Sequence, residues 1–236
     1  MSKVLVENKQ IVIPGEVLAE GMDFLPGKGS FREQDKVIAS RVGLANVKGS
    51  IISIIPLSGS YLPRRDDTVI GFVRDMTYST WFIDIGYAYD ASLGLKDASS
   101  DFIERGASLS DYFAIGDVIL TKIRNVTNGN NADLTMVGPG LRKLKGGRLV
   151  NVTPSKVPRI VGKQGSMITM IKELTGCNLF AGQNGRVWIK GPNPQAELLA
   201  TKAIMLINEK SHIRGLTEKV KQFLESNLQT AKENKK

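Results

Sequence analysis

The stretch Ile160-Val-Gly-Lys-Gln-Gly-Ser-Met-Ile168 decides how this 236-residue chain is read. Gly162 and Gly165 lie between Val157-Pro-Arg-Ile160, which reads as strand-like or extended, and a run of helical period. Glycine lets the backbone turn sharply and lets a phosphate approach with no Cβ in the way. Amides exposed at the start of the following helix then favour an anion, and Lys163 adds a mobile positive charge. Downstream, Met167, Ile168, Ile171 and Leu174 recur at helical spacing, with Gly176 as the stop. Asn178 to Ala181 and Arg186 to Lys190 form a hairpin around Gly182-Gln-Asn-Gly185. Pro194 to Glu209 is a helix with Ala196, Leu199, Ala203, Leu206 and Ile207 on one face. Upstream, Arg148 to Val152 is strand-like, and Pro139-Gly140 with Lys145-Gly-Gly147 marks a linker. Two glycines at this spacing, read alone, are a simple loop before a helix. The order of strand, helix, hairpin, helix and terminal helix turns the loop into a candidate backbone clamp. A Walker loop is excluded, because Lys28 is followed by Gly29 and Lys163 by Gln164.

Charge supports a polyanion ligand. The chain is 42% hydrophobic and 23% charged, an ordinary globular composition, with a net charge of +9. Residues 1–66 carry 9 Lys and Arg against 7 Asp and Glu; residues 67–137 carry 5 against 10; residues 138–236 carry 18 against 6. A last third this basic suggests nucleic acid. An anionic membrane is the competing polyanion. The terminal segment, with Leu216, Val220, Phe223, Leu224 and Leu228 at helical spacing, mixes Glu218, Glu225 and Glu233 with its lysines, which suits packing on protein better. No apolar run approaches the roughly 20 residues of a membrane span. Lys3, Glu7 and Lys9 interrupt the place of a signal-peptide core, so a cytoplasmic location is expected.

The first two segments read as β structure. Residues 1–65, including Ile11-Val-Ile-Pro-Gly-Glu-Val17 and Lys36 to Leu57, give short β-branched strands cut by Pro and Gly, hence a small β domain. Residues 66–137 give five strand candidates: Thr68–Val73, Thr80–Gly86, Ala91–Leu95, Ile115–Val126 and Ala132–Met136. With one longer insertion, Lys96 to Asp111, they fit an OB barrel. The third domain is 138–236. Such barrels bind single strands by stacking bases on aromatic rings beside cations. Tyr78, Trp81, Phe82 and Tyr87 cluster on the first hairpin; strand alternation puts Trp81 and Ile83 on one face and Phe82 on the other. Arg74, Lys122 and Arg124 lie on strands or at their ends, and Lys122 and Arg124 share a face that suits a phosphate track or a merely solvated surface.

Catalysis finds no constellation. Cys177 is the only cysteine and His212 the only histidine, which excludes disulfide frameworks, zinc sites with two thiolates and HExxH sites. His212 follows a helix end as a capping or surface residue, and Cys177 reads as buried. Asp84, Asp90, Asp97, Asp101, Asp111 and Asp117 are scattered without motif spacing, as turn-forming and solvating residues are. No metal or other cofactor is expected.

The module from 138 onward resembles the KH domain, whose GxxG loop holds about four nucleotides of single strand; Gly162, Lys163, Gln164 and Gly165 match that loop fully. Essentially the whole chain resembles the KH-containing RNA-binding cap subunits of the archaeal exosome. The resemblance rests on Val12-Ile-Pro-Gly-Glu-Val17, Gly27-Lys-Gly29, and Ile54-Ile-Pro-Leu-Ser-Gly-Ser-Tyr-Leu-Pro-Arg-Arg65 leading into Asp67-Thr-Val-Ile-Gly71. The middle is similar to the barrel first described in the ribosomal protein called S-one. That barrel commonly has an aromatic-Gly pair entering its second strand and a His after its third. Here Tyr78-Ser-Thr-Trp81-Phe82 lacks the Gly, and Ala91 to Leu95 has no His, so stacking carries over to Phe82 and weakly to Trp81. The resemblance implies a non-catalytic chain, three copies on a hexameric ring of RNase-PH-like subunits, with an anchoring N-terminal domain and other cap subunits as further partners. It implies capture of single-stranded RNA 3′ ends, A-rich tails among them, and their delivery to a ring that phosphorolyses RNA 3′→5′ and adds tails. The alternatives are a stand-alone OB/KH translation or transcription factor, and a nuclease using the barrel aspartates with Mg²⁺.

Overall fold

The computed structural model describes residues 2–99, 109–127, 129–211 and 215–233, with side chains of the last helix given as far as 227. The chain separates into two compact units, Met1–Gly59 and Ser60–Lys236.

The first unit is built from eight short strands: β1 (Lys3–Val4), β2 (Ile11–Val12), β3 (Val17–Glu20), β4 (Leu25–Pro26), β5 (Ser30–Glu33), β6 (Lys36–Ala39), β7 (Gly43–Lys48) and β8 (Ile51–Pro56). They form two four-stranded sheets, ordered β1-β3-β6-β5 and β2-β7-β8-β4. Alternating apolar residues from both sheets meet in a core of Val12, Leu18, Ala19, Val37, Ala45 and Ile52, all fully buried. The small β domain expected from the sequence is present.

The second unit begins before its first strand. Tyr61 is buried in the barrel core, and its hydroxyl donates to Asp67 Oδ2 at 2.7 Å. Burial, then the Asp67 carboxylate, pushes the Tyr61 pKa far up. Residues 60–65 therefore belong with the barrel unit, and the compact units divide at Gly59/Ser60 rather than at the 65/66 boundary read from the sequence.

The barrel strands are β9 (Thr68–Met76), β10 (Thr80–Asp84), β11 (Ala91–Gly94), β12 (Val118–Val126) and β13 (Ala132–Thr135), with the single turn α1 (Leu95–Ala98) after β11. The sheet order β13-β11-β10-β9-β12 is closed by pairing of β13 with β12. That is the five-stranded barrel expected of an OB fold. Trp81, Ile83, Ile119, Ile123 and Leu134 fill it at essentially zero exposure. The expected linker is shorter than the glycines suggest. Arg142–Leu144 forms β14, antiparallel to β12, with Leu120 opposite Arg142 and Val118 opposite Leu144.

The final module comprises β15 (Arg148–Asn151), α2 (Val157–Val161), α3 (Ser166–Thr175), β16 (Asn178–Ala181), β17 (Arg186–Lys190), α4 (Pro194–Glu209) and α5 (Leu216–Glu233). Its antiparallel sheet runs β15-β17-β16. One face packs Val150, Leu179, Val187 and Ile189 against Ile160, Met167, Ile171, Ala203, Ile204 and Ile207 of the helices. Asn193 caps α4, its Oδ1 accepting from Ala196 N at 2.7 Å, and Pro194 opens the helix without leaving a donor unsatisfied. Val220 and Leu224 of α5 are fully buried in this core, as expected for a helix packed on protein. Cys177 is buried, and burial raises its thiol pKa against the effect of a Thr175 hydrogen bond.

One local reading is corrected. Val157–Ile160 is helical, not strand-like, so the glycine loop joins two helices. Five residues are too few for periodicity to declare a helix. Here Val157 and Ile160, three apart and both fully buried, fix it from the core side.

The sheet's other face rests on the barrel. Leu149, Phe180 and Trp188 pack with Ile70, Leu120, Leu141 and Leu144. Asn184, buried in the β16–β17 turn, accepts from Ile70 N at 3.2 Å and donates to the carbonyls of Ile70 (2.7 Å) and Ile85 (2.8 Å). Arg186 donates to the Asp84 carbonyl at 2.5 Å and to its carboxylate at 3.1 Å. Burial raises the Asp84 pKa, but the Gly86 amide and Arg186 outweigh it, and the net shift is downward. Barrel and C-terminal module are thus one body.

Candidate nucleic-acid interface

Helix α2 ends at Gly162, whose amide donates to the Pro158 carbonyl at 2.9 Å. Gly162 sits at φ 78°, ψ 174°, and a Cβ there would come within 2.6 Å of the Met167 nitrogen. No other residue fits that position. Gly165 follows at φ 80° and opens α3 without a side-chain cap, the Gly165 and Ser166 amides donating to the Gly162 and Lys163 carbonyls. Between them, Lys163 and Gln164 are exposed. Gln164 has φ 53°, a left-handed conformation that side chains other than glycine adopt at a cost. All four expected loop residues lie in one short turn, with the Lys163 and Gln164 side chains exposed.

The surroundings are basic over a long stretch. From residue 138 to 172 the chain has eight Lys or Arg and no Asp or Glu. Lys143 pairs with Asp117, and Lys156 donates to the Asn208 carbonyl at 2.7 Å. Arg142, Lys145, Arg148, Arg159, Lys163 and Lys172 make no ion pair among the described residues. That run was legible in the sequence as a local absence of carboxylates, a sharper signal than the charge of the whole last third.

The barrel residues fare differently. Trp81 is fully buried, its indole Nε1 donating to the Phe113 carbonyl at 3.0 Å and its ring edge-on to Phe113 at 5.4 Å. It belongs to the core and has no face for a base, which corrects its reading as a stacking residue. Phe82, one position on, points outward and is partly exposed. Each expected barrel cation already holds a carboxylate: Lys122 with Asp66 at 2.8 Å, Arg124 with Asp97 at 2.7 Å, Arg74 with Asp90 at 3.3 Å. The Lys122 ammonium lowers the pKa of Asp66. A phosphate at these positions must displace or share its cation. Arg65, Thr80, Ser92, Asp97, Arg124 and Asp133 line a cleft of about 550 Å³ on this side of the barrel.

Four of the scattered aspartates are held in ion pairs. Asp84, Asp90, Asp97 and Asp117 hold Arg186, Arg74, Arg124 and Lys143 respectively. Among the described residues no group of three His, Cys, Asp or Glu is placed to hold a metal ion. His212 and Asp101 lie outside the described residues. Among the described residues no helix is long and apolar enough to cross a membrane.

A closed five-stranded barrel joined to a sheet-and-helix module with an exposed GxxG loop defines a protein of the OB-plus-KH class. Comparison with known proteins agrees and narrows the class. Residues 147–195 match the KH domain family, and residues 9–58 match the N-terminal domain family of the exosome RNA-binding protein RRP4. The chain is 43% identical to the exosome complex component Rrp4 of Pyrococcus abyssi, over 99% of this chain and 89% of that protein. It is 44% identical to the corresponding Thermococcus kodakarensis protein, over 99% and 91%. A solved structure assigned to an exosome complex RNA-binding protein superposes with a TM-score of 0.66 at 30% identity, covering 73% of this chain and 99% of that one. The chain belongs to the Rrp4 family of exosome complex components.

Proposed function

We propose that this protein is a non-catalytic RNA-binding cap subunit of an exosome, which captures single-stranded RNA 3′ ends, A-rich ones among them, and passes them to an RNase-PH-like ring for 3′→5′ phosphorolysis and tailing. The observation that carries the reading is the exposed Gly162–Gly165 loop set in a carboxylate-free basic run, in a chain of the Rrp4 family. Amides at a glycine turn and a mobile Lys163 recognise phosphate, not sequence. Asp66, Asp84, Asp90, Asp97 and Asp117 of the barrel are held in ion pairs, and among the described residues no cluster of three carboxylates is placed to hold a metal ion, which supports a binding role over hydrolysis. Functions divide by domain: 1–65 for attachment, 66–137 for guiding RNA at the ring entrance, 138–236 for capture. In the first, Ile11, Leu44 and Ile55 form a cross-strand row on the outer face of the β2-β7-β8-β4 sheet, with Ile11 64% and Ile55 51% exposed. Leu25 and Ile51, paired on the same sheet, are also exposed. Apolar surface of that extent marks a protein contact.

The loop is tested by replacing Lys163 and Gln164 together with Asp. Two carboxylates then stand where a phosphate belongs, while both glycines and their backbone geometry are kept. Binding of single-stranded RNA should weaken by about 1–3 kcal/mol, the usual size of charged hydrogen bonds. Thermal stability and assembly with ring subunits should be unchanged. Wild-type affinity in the folded double variant would make the loop structural. In the barrel, Lys122→Glu with Arg124→Glu should slow degradation of RNA with a long single-stranded 3′ end by the assembled complex. Because both cations start out paired, this effect should be smaller than that of the loop variant and fade as salt rises from about 50 to 200 mM.

A further inference from the structure

We infer a second phosphate-binding point, at the junction of barrel and KH module, where Arg142 of β14 and Lys172 of α3 converge on the ring of Phe180. The inference rests on the proposed reading that the Gly162–Gly165 loop holds single-stranded RNA, and extends the path of that strand beyond the loop.

The Arg142 guanidinium carbon lies 4.7 Å from the Phe180 ring centre, and the Lys172 ammonium 5.2 Å. The two cations come from different modules and are no more than about 10 Å apart, each being within about 5 Å of the same point. Neither has a carboxylate partner among the described residues. A ring face attracts one cation, but two like charges gathered on one ring repel each other, and an anion between or beside them relieves that repulsion. Arg142 is exposed and Lys172 partly so, which leaves them open to a ligand.

The supports are rigid. Phe180 stacks on Trp188 at 5.7 Å, and the Trp188 indole donates to the Gly146 carbonyl at 2.8 Å. Arg142 stands on a strand held in register by β12. Lys172 stands on the helix that the glycine loop opens, six residues after Ser166, roughly 9 Å along the axis at 1.5 Å per residue. The first carboxylate after the basic run, Glu173, is on the same helix and exposed. With Phe180 already stacked on Trp188 and covered by cations, the site takes the RNA backbone, not a base.

The test compares RNA of two lengths on the full chain by fluorescence anisotropy: one of about four nucleotides, the length such a loop clamps, and one twice as long. Arg142→Gln with Lys172→Gln should weaken the longer RNA roughly tenfold and lower the magnitude of its salt slope by about 0.7, for one single-strand phosphate, and leave the shorter one unchanged. Arg142→Lys with Lys172→Arg keeps the charges and should bind both RNAs as the wild type does, which separates charge from packing on Phe180. Wild-type affinity and slope for the longer RNA in a folded Gln double variant would overturn the junction site. If the Lys163→Asp, Gln164→Asp variant still loses both RNAs in that case, the loop reading stands; if that variant binds both normally, the loop reading itself fails.

Discussion

A chain shortened to residues 60–236 is expected to bind single-stranded RNA and to leave the exosome ring unattached. The first 59 residues form their own compact unit, with a core drawn from both of its sheets. Their outer sheet face carries Ile11, Leu25, Ile51 and Ile55, each about half exposed or more. Contacts of a few such side chains supply most of the affinity of a protein interface. The cut must fall at Gly59/Ser60: removal through Arg65 would also take Tyr61 out of the barrel core, together with its bond to Asp67. Co-purification with RNase-PH-like subunits should drop from near-equal amounts to background. A gentler form of the experiment is Ile11→Asp with Ile55→Asp, which puts two charges on the exposed row and leaves the core intact. Co-elution of the shortened chain with the ring would place the attachment surface elsewhere.

Replacing Trp81 with Ala should destabilise the barrel by about 3–5 kcal/mol, the range for emptying a buried large aromatic site. The indole is fully buried, packs edge-on to Phe113 and donates to its carbonyl. Truncation leaves a cavity and removes the donor for that carbonyl. Phe82→Ala, one residue on and outward, should cost under about 1 kcal/mol, as surface substitutions do. Denaturant midpoints of the two variants measure the difference. Equal losses would contradict the inward position of Trp81 and reopen it as a stacking residue. The Phe82 variant is also the one to assay for RNA: a binding defect without a stability defect would assign that ring to the ligand.

Local rules made much of this protein readable in advance. The glycine loop, the caps and periods of α3 and α4, and the β16–β17 hairpin all depend on residues within a few positions of each other. So did the five barrel strands, whose turn residues and β-branched runs are short-range signals. What failed was short or long-range. Val157–Val161 is too brief to show a period, and only the buried Val157 and Ile160 make it helical. Alternation separated Trp81 from Phe82, but which of them faces inward depended on where closure of β13 onto β12 put the core. Alternation put Lys122 and Arg124 on one face, but the register of β12 against β13 shifts between Ile123 and Asn125. The cations' partners Asp66 and Asp97 are brought there by the barrel, Asp97 from 27 residues away, and no spacing rule reaches that far. The junction is the extreme case: Asn184 binds the backbone of Ile70 across 114 positions, and Arg142 and Lys172 both reach Phe180 because this contact, the apolar packing and the Arg186–Asp84 pair hold the two modules together. Sequence determined the elements and the loop chemistry, since both follow from neighbouring residues. Tertiary structure decided which cations lack a carboxylate partner, because pairing depends on which distant carboxylates the fold brings within about 4 Å.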